Sequence, residues 1–316
     1  MPAMMWEGRG EVARKPTRKL QRAENLLRGA SCSFRQQPPQ AGRVSCYLRN
    51  LKKAHSLARQ PGRMVPGMTG QFYDKVTRKF GTFQGVPRPL TTYPQGNPEE
   101  MFEQKLFELS GKDKVALDLG CGDGRFTLRM AGYFQEIVGI DSSVERLKLA
   151  QAEQQLQEQT NVRFEQQDAS QTSFAGNIFD LVYSRRGPTP YQECYRITKP
   201  KGYFLTISIG EKDAWELKQI FGRGQGYGAW KTSALEQAEE RLQRAGFEVV
   251  YRQDVLYDEY FVSYHDLDVF LQGVPIFEDF DSEKDRLSLE AYVARFQTDK
   301  GIHLPRHRFL VVAVKS

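Results

Sequence analysis

Residues 115–125 read VALDLGCGDGR, and further along the chain reads EIVGID, ending on Asp141. This pair limits the possible folds more than any other feature. The first run is an apolar strand (Val115, Ala116, Leu117, Leu119) that breaks into Gly120-Cys121-Gly122-Asp123-Gly124. Glycines let the backbone turn sharply and let a ligand approach with no Cβ in the way. A helix that starts there points its free amides at that ligand. A second apolar strand then ends on a carboxylate, which can accept both hydroxyls of a ribose. Together the two runs predict a βαβ unit that binds a nucleoside.

The spacing narrows the choice of nucleoside. The dinucleotide fingerprint is G-x-G-x-x-G, whose last glycine permits close helix packing. Arg125 stands in that place here, and the glycines run G-x-G-x-G instead. Asp118, two residues before Gly120, suits a ligand carrying an ammonium rather than a pyrophosphate. In this D-x-G-x-G-x-G run, Asp118 to Gly124, the chain resembles the class I S-adenosylmethionine-dependent methyltransferases, particularly the type 11 methyltransferase domains.

Further family motifs follow in order. Asp141 closes the second strand, with Ser142 beside it, and Asp168-Ala169 closes VRFEQQDA. Phe179-Asp180-Leu181-Val182 matches F-D-x-V, and Arg196 to Gly202 matches R-x-x-K-P-x-G. The resemblance covers roughly residues 69–252 and resumes at the final strand. It implies S-adenosylmethionine as cofactor, held by Asp118, Gly120, Gly122, Asp141, Ser142, Asp168, Ala169 and Ser184. It also implies that an aromatic-Asp helix around Tyr73-Asp74 covers that cofactor. Asp168 has an ordinary alternative, since Asp often caps the turn that follows it.

Composition separates the chain into two parts. Its net charge is +6, yet residues 1–68 carry 14 of the 45 Lys/Arg and only 3 of the 39 Asp/Glu. The remaining body is therefore net acidic. The leader is open to three readings: a disordered basic tail, an organelle transit peptide, or upstream translation ahead of a start at Met64 or Met68. No apolar run is long enough to span a bilayer. Cys32, Cys46, Cys121 and Cys194 form no metal-ligand pattern and fit a reducing cytoplasm. Cys121 reads as packing within the glycine loop.

Beyond the leader, strands are expected near 114–119, 136–140, 162–166, 179–183, 202–209, 247–251 and 309–314, alternating with helices. Such alternation implies a parallel sheet with helices on both faces. The resemblance makes this a Rossmann-like, seven-stranded, mostly parallel sheet with an antiparallel last strand. Residues 98–111 read as a helix, Ser142-Ser143 cap another, and Ser233 to Gly246 frames a third. An acidic insert at 253–306 lies between strands six and seven, with helices near 264–272 and 282–297. The body is thus read as one methyltransferase domain, 69–316, whose insert covers the acceptor.

The acceptor belongs beyond the carboxyl end of the fourth strand, where the strand order reverses. That loop reads Tyr183-Ser184-Arg185-Arg186-Gly187-Pro188 and lacks the motifs of amino- and cytosine-methylating nucleic-acid enzymes. Arg185 and Arg186 are candidates to hold a carboxylate or phosphate; the alternative is that they pair with acids of the insert or face solvent. His307 is a candidate general base or a structural histidine at a strand end. Tyr260, Tyr264 and His265 either line the acceptor pocket or form the core of the insert. The acidic body favours a small-molecule acceptor over RNA, because phosphate contacts demand a basic surface. RNA methylation and a catalytically silent cofactor-binding protein are the alternatives.

Overall fold

In the computed structural model, the run from Val115 to Leu119 sits at the centre of a twisted mixed sheet. The structure describes residues 68–81, 87–230 and 232–316. The readings of the leader lie outside them. In chain order the elements are α1 (Met68–Phe80), β1 (Leu90–Thr92), α2 (Pro98–Leu109), β2 (Gly111–Leu119), α3 (Arg125–Met130), β3 (Phe134–Asp141), α4 (Val144–Leu156) and β4 (Val162–Gln166). There follow β5 (Phe179–Arg185), α5 (Tyr191–Ile197), β6 (Thr198–Ile209), α6 (Trp215–Phe221), α7 (Ala234–Ala245), β7 (Phe247–Phe261), α8 (Tyr264–Gly273), α9 (Arg286–Phe296), β8 (Gln297–Thr298) and β9 (Gly301–Lys315).

The sheet order is β1-β7-β9-β6-β5-β2-β3-β4, with β8 pairing β9. Strands β2 to β6 run parallel, and β9 is antiparallel to both β6 and β7. This is the expected Rossmann-like, mostly parallel sheet with its antiparallel last strand, to which β1 and β8 are added. The chain leaves β2 towards β3 and β4, then returns to β5 on the other side. The order therefore reverses between β2 and β5, and a crevice opens at their carboxyl ends.

Both faces of the sheet are buried, as a parallel sheet requires. Ala116, Ile137 and Leu205 pack on one side with Phe102, Phe126 and Phe134. Leu117, Val138 and Val182 pack on the other with Leu242 of α7. The helix caps follow from the sequence. Ser143 rather than Ser142 caps α4, and Ser233 with Glu236 completes a capping box on α7. Helix α2 stops at Leu109, short of the expected Gly111, which instead opens β2. Two motif residues turn out to be structural ties away from the crevice. Asp180 accepts from the Val115 amide at 2.9 Å and from Lys199 Nζ at 2.8 Å, which clamps the amino ends of β2, β5 and β6.

The insert is shorter than residues 253–306. Strand β7 continues to Phe261 and β9 begins at Gly301, so only 262–300 lies outside the long hairpin. The physical reason is alternation: Val255, Tyr257 and Phe261 are buried while the residues between them are not. The insert proper builds its own core from Leu267, Phe270, Phe277, Leu289 and Tyr292 against Leu217 of α6. No helix among the described residues is long and apolar enough to cross a membrane.

Candidate functional site

At the crevice, the glycine loop supplies shape rather than hydrogen-bond donors. The amides of Gly120 and Cys121 both donate to the Ile140 carbonyl, at 2.8 and 3.0 Å, and that of Gly124 to Cys121. The Gly122 amide donates to Asp141 Oδ2 at 2.9 Å, with Gly122 in the left-handed region at φ 59°. With those four amides engaged inside the protein, the loop offers little to a pyrophosphate. The close helix packing assigned to the third dinucleotide glycine falls one residue earlier, at Gly124. A Cβ there would sit 2.6 Å from Phe164 and 2.7 Å from Ala150, at a φ of +73°. Gly124→Ala is therefore expected to cost about 1–3 kcal/mol of stability from overpacking. A denaturant melt that does not move would show that Phe164 can give way.

What the loop presents is two carboxylates. Asp141 Oδ1 accepts from the Ser143 amide at 2.8 Å, so the two backbone amides fix the carboxylate at the tip of β3. Asp118 is 3 % exposed and accepts from Thr127 Oγ1 at 2.7 Å. Burial raises its pKa to about 6, against the pull of Thr127 and the charge of Arg185. A cationic ligand is what such a pair can hold.

Helix α1 lies over this acid pair. Ser143 Oγ donates to Asp74 Oδ1 at 2.5 Å, and the Arg146 guanidinium stands 4.0 Å over the Tyr73 ring. Burial raises the Tyr73 phenol, opposed by Arg146 and Arg186. Ser142 is exposed. Asp168 accepts from the amide and hydroxyl of Ser170 at 2.8 and 2.7 Å, the turn cap that was its ordinary alternative, and Ala169 is buried beside Leu119 and Ile140. Ser184 is fully buried and its Oγ has no partner among the described residues. The loop after it folds back so that Pro188 rests against Gly120.

On the acceptor side the two arginines part company. Arg185 donates Nε to Glu99 Oε2 at 3.0 Å and lies 4.5 Å over the Phe126 ring. Arg186 reaches Glu99 Oε1 at 3.2 Å, with φ 60° and its side chain 42 % exposed. Their carboxylate partner is in the first turn of α2, not in the insert. Burial pushes the Glu99 carboxyl up, but Arg186, Arg185 and Arg308 outweigh it and hold it below its ordinary range.

His307 is buried with both ring nitrogens engaged. Nδ1 accepts from the Lys212 amide at 3.1 Å, which leaves Nε2 to donate to Asp254 Oδ1 at 2.7 Å. The ring also fills the space beside Gly210. This corrects the general-base candidate, because neither nitrogen is free to take a proton from an acceptor. Tyr260 stacks on His303, Tyr264 packs against the core of the insert and His265 is exposed, so they do not form one wall. A cavity of about 250 Å³ lies between α1 and the insert, lined by Phe72, Val76, Phe277, Phe280 and Glu278 among others. The cradle acids do not line it.

Sequence reading missed the groups that act through space. Thr127 beneath Asp118 comes from the helix just after the glycine loop, while Glu99 between the arginines and Asp213 beneath Arg306 and Arg308 are supplied by distant segments.

A methyltransferase domain model matches residues 110–231, which span the glycine loop, the acid tips and β6. Over that stretch the chain carries a methyltransferase domain of the class I S-adenosylmethionine-dependent kind. A phosphoethanolamine N-methyltransferase of Arabidopsis thaliana is 31 % identical over 159 residues, covering 47 % of this chain and 31 % of that protein. A sterol 24-C-methyltransferase of Yarrowia lipolytica is 29 % identical over 254 residues, 70 % of this chain and 65 % of its own. The methyltransferase chain thus spans between about a third and two thirds of these two relatives. A solved structure of a functionally unknown protein from Deinococcus radiodurans shares the fold, with a TM-score of 0.53 and 20 % identity over 78 % of this chain and all of that one. The family cofactor, S-adenosylmethionine, carries a sulfonium and an ammonium. The residues present fit it: two carboxylates, a loop with glycine at three of its five positions, and amides turned inward.

Proposed function

We propose that the protein transfers the methyl group of S-adenosylmethionine to a small-molecule acceptor bound at the carboxyl ends of β5 and β6. The observation that carries this reading is the Asp141 carboxylate, held by the Gly122 and Ser143 amides at the tip of β3. When bound, the cofactor supplies a methyl group already activated on a sulfonium, so positioning can provide much of the acceleration. The chain's own contribution is then to bind and to orient. Asp141 takes the ribose hydroxyls, Asp118 faces the cationic end, and Tyr73 on α1 closes the site from solvent. Asp168, Ala169 and Ser184 belong to the adenine side and the floor of the same crevice. Arg185 and Arg186 stand on the acceptor side.

Two observations support a small acceptor. The body is net acidic, which opposes a long polyanion. The relatives act on phosphoethanolamine and on a sterol, by their names, and both are small molecules. Domain 69–316, with its 262–300 insert over the crevice, is read as the catalytic unit.

Calorimetry with S-adenosylmethionine, S-adenosylhomocysteine and NAD tests the cofactor, and a labelled-methyl screen against metabolite and RNA pools tests the acceptor. NAD binding without S-adenosylmethionine binding would sink the reading. Label entering RNA alone would replace the acceptor class. Asp141→Ala is expected to weaken cofactor binding at least about tenfold, since a hydrogen bond to a charged group contributes about 1.5–3 kcal/mol. Unchanged affinity in a folded variant would remove Asp141 from the site.

A further inference from the structure

Where the carboxyl ends of β5 and β6 meet the amino half of the antiparallel β9, a knot of charge holds more cations than carboxylates. Arg185 and Arg186 both turn to Glu99. Arg308 donates Nη1 to Asp213 Oδ1 at 2.6 Å and to the His307 carbonyl at 2.7 Å. Arg306 shares Asp213 at 2.8 Å and takes Glu259 at 2.6 Å. Buried Lys218 also leans on Asp213. Among the described residues, five cations of this knot thus answer to four carboxylates, Glu99, Asp213, Glu259 and, through Arg185, Asp118. Arg308 Nε is buried with no hydrogen-bond partner among the described residues.

The surplus converges on Arg186. Its charged neighbours are Glu99, Arg185 and Arg308, with the Tyr257 phenol beside them. Arg186 is also the member of the knot that solvent reaches best among those at Glu99 and Asp213, and it holds a left-handed φ that a non-glycine residue adopts at a cost. Cations crowded together at low dielectric repel unless an anion joins them. Arg185 is spoken for elsewhere, since it covers Phe126 and its charge acts on Asp118.

We propose that Arg186 binds an oxyanion of the methyl acceptor, and that Arg308 is the positioning residue whose buried charge draws that oxyanion in. Glu99 is then an internal competitor: its carboxylate occupies the guanidinium until the acceptor's oxyanion shares it. Arg185 stands beside Arg186 on the acceptor side but is held over the Phe126 ring. The inference rests on the methyltransferase reading and narrows its acceptor to molecules carrying a carboxylate or a phosphate.

The test is titration of inorganic phosphate, and separately of acetate, into the full chain saturated with S-adenosylhomocysteine, at ionic strength held constant with potassium chloride. Saturable binding of at least one of the two is expected, and the tighter one names the oxyanion. Arg186→Ala is expected to weaken it about tenfold, the effect of losing charge-assisted hydrogen bonds. Glu99→Gln is expected to tighten it roughly threefold, because a competing charge goes while the hydrogen-bond acceptor stays. A purely structural Glu99 would give the opposite sign, so this variant decides the matter even if Arg186→Ala folds poorly. The inference is overturned if neither anion binds while S-adenosylhomocysteine does, if Arg186→Ala binds as wild type, or if Glu99→Gln binds more weakly. Failure of S-adenosylhomocysteine itself to bind would fell the methyltransferase reading, and this inference with it.

Discussion

Asp213→Ala is expected to remove about 3–5 kcal/mol of folding stability, the usual effect of deleting one partner of a buried ion pair. Asp213 is 1 % exposed and its carboxylate meets Arg306, Arg308 and the His307 amide. Without it, two buried guanidiniums and Lys218 face one another, and among the described residues Glu259 is the carboxylate still paired with them, through Arg306. Burial pushes the Asp213 carboxyl up, but Arg306, Arg308 and Lys218 outweigh it and hold it well below the ordinary carboxylate range. A depressed folded-state value contributes stability that is complete above the unfolded value near 4 and is lost as pH falls through the folded one. Denaturant melts from pH 7 downwards should therefore show wild type losing stability below about pH 4, with that component absent from the variant. A variant within about 1 kcal/mol of wild type at pH 7 would mean that the cluster rearranges to cover the loss.

Asp118→Asn is expected to do two opposite things. The folded protein holds Asp118 at about 6, above the value near 4 of an unfolded chain. A raised acid is a cost that grows as pH rises from the unfolded value to the folded one, and it is fully present above about 6. Asparagine keeps an acceptor for Thr127 and removes the buried charge. The cofactor-free variant should gain stability at pH 7.5, up to about 3 kcal/mol, by the ~1.4 kcal/mol that each pKa unit represents. It should at the same time bind S-adenosylmethionine at least about tenfold more weakly, since a charge-assisted contact goes. In wild type, cofactor affinity should fall as pH drops below about 6, where Asp118 takes up its proton. A variant that binds cofactor as well as wild type would take Asp118 out of the site, whatever its melting temperature.

The cofactor half was legible because its signals are local. Asp118, Gly120, Gly122 and Gly124 lie within seven residues, and Asp141 ends a clear apolar strand, so the resemblance to the methyltransferase motif could be read there. The acceptor half was not. Asp213 and Arg306 are 93 residues apart, and only the pairing of β9 with β6 brings them together. In the sequence, Arg306-His307-Arg308 looks like a basic strand end, and Glu99 looks like an ordinary acid in a first helical turn. The far half of β7 was missed because its many acids read as a separate segment. The period-two placing of Val255 and Tyr257 was the signal that could have revealed it, masked by charges that the neighbouring strand turned out to satisfy, as His307 does for Asp254. His307 could not be sorted from the sequence, because only the positions of Lys212 and Asp254 fix its tautomer.

The β7–β9 hairpin has a mechanical consequence. Strand β6 ends opposite Arg308, while β9 starts seven residues earlier, at Gly301, still paired with β7. At about 3.3 Å per residue the ribbon overhangs the main sheet by roughly 20 Å. The insert is thus carried at the end of a stiff cantilever, not tethered by loops. Its core is shared with Leu217 of α6, and β1 pairs the far end of β7, so a twist of the ribbon at its root would have to carry α6 and β1 along with the cap.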